Sequence, residues 1–192
     1  MRLPVDRITG TPESTHWPVT AAWWERHCAR DAELAEGFVE PLEVRMRAHR
    51  MGEDLYLEGE VCGALDLACA RCASRYREPV REPFRLVLEP AGARVPADPE
   101  GAEDLERDGL YLSDELEHGW FRGSEIRLDR FVKELIALGL RVQPLCREAC
   151  RGLCTRCGID RNVERCGCVE EVRSSPFAAL RALREAGPGD AR

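Results

Sequence analysis

The chain has 192 residues, of which 44% are hydrophobic, enough to bury one core and one small additional unit. Its net charge of −7 disfavours autonomous DNA binding, which relies on dense neutralisation of phosphate. The N-terminal stretch MRLPVDRITGTPESTHW lacks the apolar core of a secretory signal, and no apolar run of membrane-spanning length follows. We therefore expect a soluble cytoplasmic protein that does not contact a membrane.

Both ends of the chain are predicted to form additional segments. Residues 1–39 are expected to be an N-terminal extension with one helix. Thr20 is a typical N-cap residue and Gly37 a typical C-terminal stop, so the pattern predicts a helix from Ala21 to Glu36. Residues 173–192 are expected to form a short amphipathic segment and a tail.

Residues 40–140 are predicted to form an α+β core that begins with strands. In PLEVRMRAHR at 41–50 and LYLEGEV at 55–61, apolar and polar residues alternate with the period of two expected for strands with one solvated face. A turn sequence between them predicts an antiparallel pair. Residues 65–90 predict a further hairpin with CARC at its tip, followed by a long strand.

The second half of this core is predicted to contain a loop and a helix. Residues 90–109 combine proline, glycine, alanine and acidic side chains, which predicts a flexible acidic loop or a tether to a basic partner. From Leu128, apolar residues recur at spacings of three and four, which predicts an amphipathic helix that ends near Gly139 and packs on the sheet. The expected fold class is α+β: an antiparallel β-rich body with a packed amphipathic helix and zinc-clamped cysteine knuckles.

The 10 cysteines are the strongest chemical indication in the chain. Disulfide frameworks are rare in a reducing cytosol, whereas thiolates at short spacings suit a soft or borderline metal. Eight of the cysteines form four close pairs, with the spacings CxxC, CxxxC, CxxC and CxC: Cys69 and Cys72, Cys146 and Cys150, Cys154 and Cys157, and Cys166 and Cys168. The remaining two, Cys28 and Cys62, are interpreted as plain buried side chains.

Residues 141–172 are interpreted as a cysteine-rich zinc-binding segment. Zinc prefers four tetrahedral ligands, so eight thiolates predict two structural zinc ions. The expected ligand sets are Cys69, Cys72, Cys146 and Cys150 for one site and Cys154, Cys157, Cys166 and Cys168 for the other. Gly158 follows the second CxxC pair, and a positive φ there would let N–H groups face the sulfurs. A redox dithiol and an iron–sulfur cluster remain alternative interpretations of these cysteines.

The cysteine-rich segment is also locally basic. Residues 141–165 hold six arginines against three carboxylates, whereas residues 89–118 hold ten acidic side chains against two arginines. Guanidinium groups make charge-assisted, bidentate hydrogen bonds with phosphate, so five arginines are candidate contacts for RNA or another anionic partner. They are Arg147, Arg151, Arg156, Arg161 and Arg165.

Four motifs occur in a specific order: CARC, the helical IRLDRFVKELIALGL, the run QPLCREACRGLCTRCG, and a late SPFAAL. This order, which spans about Leu42 to Leu183, resembles the YceD family of large ribosomal RNA subunit accumulation proteins. Residues 1–40 show no such resemblance, and Ile159–Arg165 matches the family pattern only loosely. The resemblance implies a bacterial or organellar factor for the synthesis, processing or stability of 23S ribosomal RNA in large-subunit biogenesis, and for a bacterial protein we expect a cytoplasmic location.

The resemblance implies a non-catalytic protein, because it supplies no catalytic residues to carry over. The sequence itself shows no nucleophile with an ordered base, no paired catalytic carboxylates and no nucleotide loop, so we expect neither an enzyme nor a small-molecule substrate. The expected partners are large-subunit RNA precursor, a large-subunit ribosomal protein or a processing factor, and both direct and protein-mediated action on the RNA stay open. Two alternatives remain: a zinc-ribbon nucleic-acid-associated module of the transcription type, and a thiol-dependent redox or metallo-enzyme.

Overall fold

The three longest strands arise from the alternating sequence between residues 38 and 90. The computed structural model describes residues 1–30, 34, 37–113 and 117–168. The strands are β1 (Arg2–Pro4), β2 (Glu13–Pro18), β3 (Phe38–Met51), β4 (Asp54–Ala68), β5 (Arg75–Pro90), β6 (Leu110–Leu112), β7 (His118–Phe121) and β8 (Glu125–Arg127). The helices are α1 (Ala21–His27), α2 (Pro99–Asp108) and α3 (Asp129–Leu138), with a 3-10 turn at Val5–Arg7. No helix in the described part of the chain is long and apolar enough to span a membrane.

The chain divides into two compact units, residues 1–150 and residues 151–192. The helices and strands just named belong to the first unit. Residues 151–168 of the second unit are described, and the amphipathic segment and tail predicted at 173–192 lie outside the described residues. The finer division predicted from the sequence, with boundaries at 39, 140 and 172, stays a prediction.

Six strands form one sheet in the order β2-β3-β4-β5-β7-β6, and β1 pairs separately with β8. A two-residue turn joins β3 to β4 and a six-residue turn joins β4 to β5. These neighbours are antiparallel, as predicted. In contrast, β5 and β7 pair in parallel, because α2 and β6 intervene and return the chain to the same end of the sheet. The strand-rich α+β body is therefore confirmed, but its sheet is mixed rather than purely antiparallel.

One face of this sheet carries the hydrophobic core. Alternate residues of β4, such as Leu55, Leu57 and Val61, are buried, in agreement with the predicted period of two. Helix α3 packs on β4 and β5, and the rings of Phe131 and Phe84 meet edge to face with their centroids 5.2 Å apart. The predicted amphipathic helix and its packing on the sheet are confirmed.

Helix α1 begins where the sequence predicted but ends early. The side-chain oxygen of Thr20 accepts the N–H of Trp23 at 3.2 Å, so the predicted N-cap is confirmed. The helix ends at His27, whereas the sequence predicted that it would run to Glu36 and stop at Gly37. That part of the prediction is wrong.

A side-chain hydrogen bond accompanies the early end of α1. The buried indole N–H of Trp24 donates to the carbonyl of Leu34 at 3.2 Å, across ten positions of sequence. In a continuous helix, ten positions correspond to about 15 Å along the axis, too far for this bond. The chain therefore turns after His27, and the turn provides the acceptor that a buried indole N–H requires.

Helix α2 replaces part of the flexible acidic loop that the sequence predicted at 90–109. The Asp98 carboxylate caps the helix by accepting the N–H of Gly101 at 2.5 Å, and a proline occupies the first helical turn. Gly109 ends the helix with a left-handed φ of 67°, and Leu105 is buried. This segment therefore has the caps and the apolar anchor of an ordered helix.

Part of the acidic charge of α2 is balanced by an arginine of α3. Arg130 pairs with Glu100 at 2.6 Å and also contacts the carboxylate of Asp104. Arg107, on α2 itself, pairs with Asp104 and with Asp108, each at 2.7 Å. These pairs reduce the self-repulsion that made the composition resemble a disordered segment.

Loss of the α2 cap should destabilise the first unit. We expect Asp98→Ala to lower the free energy of unfolding by about 1 kcal/mol, because the N–H of Gly101 loses its acceptor. The matched control is Glu103→Ala, which removes the same charge from an exposed position on the same helix and should change stability by less than about 0.5 kcal/mol. Urea unfolding measures both variants, and equal losses would contradict the capping role.

Candidate metal centres

The first tetrad comprises Cys69, Cys72, Cys146 and Cys150, whose sulfur atoms all lie within 4.8 Å of one another. Two of these cysteines lie in the turn between β4 and β5, and two follow α3. The sulfurs of Cys69 and Cys150 are 3.8 Å apart, as are those of Cys72 and Cys146, a separation well beyond the roughly 2.0 Å of a disulfide bond. Cys146 is half-buried and the other three are buried, so the surrounding protein shields this tetrad from solvent.

Hydrogen bonds hold together the two segments that carry the first tetrad. The N–H of Ala70 donates to the Pro144 carbonyl at 2.8 Å. The Arg71 guanidinium donates to the carbonyls of Glu148 at 3.3 Å and Cys150 at 3.0 Å. Sequence reasoning did not identify Arg71 as a positioning residue, although its place between the two cysteines of CARC marks it as part of the turn.

The second tetrad comprises Cys154, Cys157, Cys166 and Cys168, whose sulfur atoms also lie within 4.8 Å of one another. All four belong to the second unit. Cys157 and Cys168 are exposed, and Cys154 and Cys166 are half-buried. The second tetrad is therefore more accessible to solvent than the first.

A loop between the two cysteine pairs supports the second tetrad. Leu153 and Asp160 form an isolated antiparallel bridge. The Asp160 carboxylate accepts the backbone N–H of Asn162 at 2.8 Å and its side-chain N–H at 2.6 Å. The side-chain amide oxygen of Asn162 accepts the backbone N–H of Arg151 at 2.9 Å. Sequence reasoning missed Asp160 and Asn162, although an aspartate and an asparagine separated by one residue are typical of side-chain-stabilised turns.

The two CxxC motifs share one backbone hydrogen-bond pattern. The N–H of the first cysteine donates to a carbonyl five residues later, at 3.0 Å for Cys69 and 2.8 Å for Cys154. Its carbonyl accepts the N–H of the residue after the motif, which is Ala73 at 2.8 Å or Gly158 at 2.9 Å. These two residues have φ values of 58° and 73°. The positive φ expected at Gly158 is confirmed, and Ala73 adopts the same conformation despite its Cβ.

Crowding gives the sulfurs of each tetrad unequal proton affinities. Burial raises the pKa of Cys69, but backbone N–H groups outweigh it and bring that pKa to about 6, whereas burial and neighbouring thiols raise the pKa of Cys146 to about 12. Backbone N–H groups lower the pKa of Cys154 to about 6, and a hydrogen bond with Cys157 helps to raise the pKa of Cys168 to about 12. Four adjacent thiolates repel one another, and a cation at their centre would remove that repulsion.

The structure brings the eight cysteines together in the two sets of four that the sequence suggested, and their binding of a metal stays a prediction. Cys28 is buried in the core, as predicted. Cys62 is half-buried rather than buried, and its thiol donates to the Glu43 carboxylate at 3.6 Å. Burial raises the pKa of Cys62, which leaves its thiol protonated at neutral pH.

The arginines predicted to contact a partner are distributed over both units. Arg147 lies in the first unit, and the other four lie in the second. All five side chains are exposed: Arg147, Arg151, Arg156, Arg161 and Arg165. Their contact with RNA or with another partner stays a prediction.

Residues 57–184 match the family model described as large ribosomal RNA subunit accumulation protein YceD. The chain belongs to the YceD family. This confirms the resemblance inferred from the order of motifs, although the match begins within β4 rather than at Leu42. The matched residues include both tetrads, so the cysteine-rich segment lies within the part of the chain that defines its membership of the YceD family.

Curated relatives support the same relationship. The chloroplastic large ribosomal RNA subunit accumulation protein YCED homolog 1 of Arabidopsis thaliana is 27% identical over 164 residues, which cover 76% of this chain and 49% of the relative. Relatives from Mycobacterium tuberculosis and Mycobacterium bovis, described as uncharacterized proteins, are 29% identical over 118 residues, which cover 62% of this chain and 50% of theirs. The chain thus spans about half the length of these curated relatives. No solved structure matches it.

Substitutions after the two CxxC motifs should have opposite effects on stability. Gly158→Ala places a Cβ where nothing lies within 4 Å, at a φ of 73°, so its cost of about 1 kcal/mol should be conformational alone. Ala73→Gly relieves the corresponding strain and should stabilise the protein by up to about 1 kcal/mol. Thermal unfolding of the two purified variants checks this, and effects of the same sign would contradict the shared turn geometry.

Proposed function

We propose that the protein is a non-catalytic factor for the synthesis, processing or stability of 23S ribosomal RNA in large-subunit biogenesis. The observation that carries this proposal is the match to the YceD family, whose description names accumulation of the large ribosomal RNA subunit. A chloroplast relative that aligns with 76% of this chain carries the same description. The proposed role is therefore to maintain the level of large-subunit RNA.

Each tetrad is proposed to bind one structural zinc ion. Zinc–sulfur bonds of about 2.3 Å in a tetrahedral site place neighbouring sulfurs about 3.8 Å apart. Two sulfur pairs of the first tetrad have this separation. Four sulfur ligands complete the coordination that zinc prefers and leave no open position for a reacting water, which supports a structural role rather than a catalytic one.

The proposed partners are large-subunit RNA precursor, a large-subunit ribosomal protein or a processing factor. Exposed arginines of the second unit, such as Arg151, Arg156 and Arg161, offer charge to phosphate. Exposed carboxylates on α2, Glu103 and Glu106, offer charge to a basic protein. Because α2 is an ordered helix, these carboxylates form a fixed acidic face rather than a flexible screen.

The zinc proposal predicts two zinc ions per chain and the loss of one when either tetrad is broken. Cys72→Ser and Cys157→Ser should each leave about one zinc, because an incomplete site loses much of a binding free energy that is of order 10 kcal/mol. The control is Cys62→Ser, which changes a cysteine outside both tetrads and should retain both ions. Elemental analysis of protein purified without chelator makes the measurement, and a metal-free wild-type protein would refute the proposal.

The proposed function predicts that cells lacking the protein accumulate less 23S ribosomal RNA relative to 16S RNA. Two variants reintroduced into such cells separate the candidate partners. The first variant combines Arg151→Gln, Arg156→Gln and Arg161→Gln. If it does not restore the level of 23S RNA, the result would support contact with RNA phosphate. Failure of Glu103→Gln with Glu106→Gln would support a basic protein partner.

Quantification of both ribosomal RNAs and of the particles that co-purify with the tagged protein provides the measurement. Immunoblotting of each variant controls for protein level. An unchanged ratio of 23S to 16S RNA in cells without the protein would reject the ribosomal function.

A further inference from the structure

The register of the central strands collects arginines on the solvent side of the sheet. Directly opposed residues of antiparallel strands point to the same face, and alternate positions of β3, β4 and β5 are buried in the core. We define the arginine face as the opposite side of the sheet within residues 43–49, 56–66 and 75–87. Its arginines, all exposed, are Arg45, Arg47, Arg75, Arg77, Arg81 and Arg85.

The arginine face is positively charged, although the chain as a whole carries a net charge of −7. The six arginines share this face with four carboxylates. The carboxylates are already paired: Glu43 with Arg45, Glu58 with Arg47 at 3.4 Å, Glu60 with Arg81 at 2.9 Å, and Asp66 with Arg75 at 3.0 Å. The count of six guanidinium groups against four carboxylates gives the face a net positive charge.

The ion pairs on the arginine face can exchange their partners. The Arg81 side chain remains 79% exposed in its pair with Glu60, and Arg47 remains 59% exposed in its pair with Glu58. Exposed pairs of this kind are screened by solvent and contribute little to stability. A phosphate group, which accepts bidentate hydrogen bonds from guanidinium, can therefore replace the carboxylate at little cost to the fold.

The edge of β5 argues against recognition of a peptide by strand addition. β7 pairs only with Val87–Pro90 of β5, so residues 75–86 have no strand partner on that side within the described residues. Pro79 and Pro83 lie in this stretch and lack the N–H groups that an added strand would require. The exposed arginines, rather than the strand edge, are the groups that a partner can reach.

We propose that the arginine face binds the phosphate backbone of RNA. Arg77, Arg81 and Arg85 recur every four residues on one side of β5, which separates them by about 13 Å along the strand. Such a row of guanidinium groups on a rigid strand suits an extended polyanion better than a single small anion. Its contacts are with phosphate, so binding is independent of base sequence and falls with salt. The choice of large-subunit RNA as the ligand rests on the proposed function.

The test removes the row of guanidinium groups on β5. The variant combines Arg77→Gln, Arg81→Gln and Arg85→Gln, and the probe is a transcribed fragment of large-subunit RNA. With purified protein at about 0.1 M salt, affinity should fall at least tenfold, and the slope of log K against log salt should flatten by about two to three units.

The matched control removes three exposed arginines elsewhere in the first unit: Arg7→Gln, Arg26→Gln and Arg30→Gln. It changes the net charge by the same amount, so its affinity for the RNA fragment should stay within about twofold of wild type if position rather than total charge decides binding. The unfolding midpoint and the zinc content are measured for both variants. If the β5 variant unfolds more easily, the single change Arg85→Gln replaces it, with an expected flattening of about one unit.

Three outcomes overturn the inference. In the first, the β5 variant and the control lose the same affinity for the RNA fragment. In the second, the wild-type protein does not bind the fragment. In the third, binding is lost only when Arg151, Arg156 and Arg161 are replaced. The second outcome would direct the search to a protein partner, and the third would place the contact in the second unit. None of them decides the proposed function, which depends on the 23S RNA level in cells that lack the protein.

Discussion

The convergence of four sulfurs at the tip of the β4–β5 hairpin is the constraint on which the first unit depends. Cys69 and Cys150 are 81 positions apart, yet their sulfurs lie 3.8 Å from each other. This contact closes a loop that contains β5, β7 and α3, at a cost in chain entropy and in repulsion between thiolates. Hydrogen bonds from Ala70 and Arg71 offset part of that cost. A cation bound at the centre would offset the remainder and make metal binding part of folding.

The second tetrad contains the same CxxC turn as the first, but different residues surround that turn. The turn needs only its own backbone hydrogen bonds and a residue that tolerates positive φ, so it recurs at Ala73 and Gly158 in unrelated surroundings. In the first unit the opposing cysteines arrive from beyond α3, whereas in the second they follow nine positions after Cys157, beyond a loop that Asp160 and Asn162 stabilise. A segment of this size buries little apolar surface, so a bound metal would contribute more to its order than to that of the first unit.

Charge in this protein is organised by position in the fold rather than by composition. The composition of residues 90–109 resembled that of a flexible acidic loop, but Arg130 and Arg107 pair with carboxylates of α2. The arginines of the central strands look evenly mixed with acids in sequence, and only strand register places them together on one face. Net charge alone therefore says little about which surface meets an anionic partner.

The sequence by itself determined the features whose interactions are local. The alternation of β3 and β4, the apolar face of α3, the Thr20 cap and the CxxC turns each depend on residues a few positions apart, and the order of motifs identified the family. The tertiary structure decided the end of α1, where the Trp24 indole donates to the Leu34 carbonyl, and the order of α2, where Arg130 of α3 pairs with Glu100 and Asp104. It also decided which face carries the arginines and how closely the paired cysteines approach. Caps and turns are encoded in neighbouring residues, whereas burial and charge pairing between distant residues exist only after folding brings those residues together.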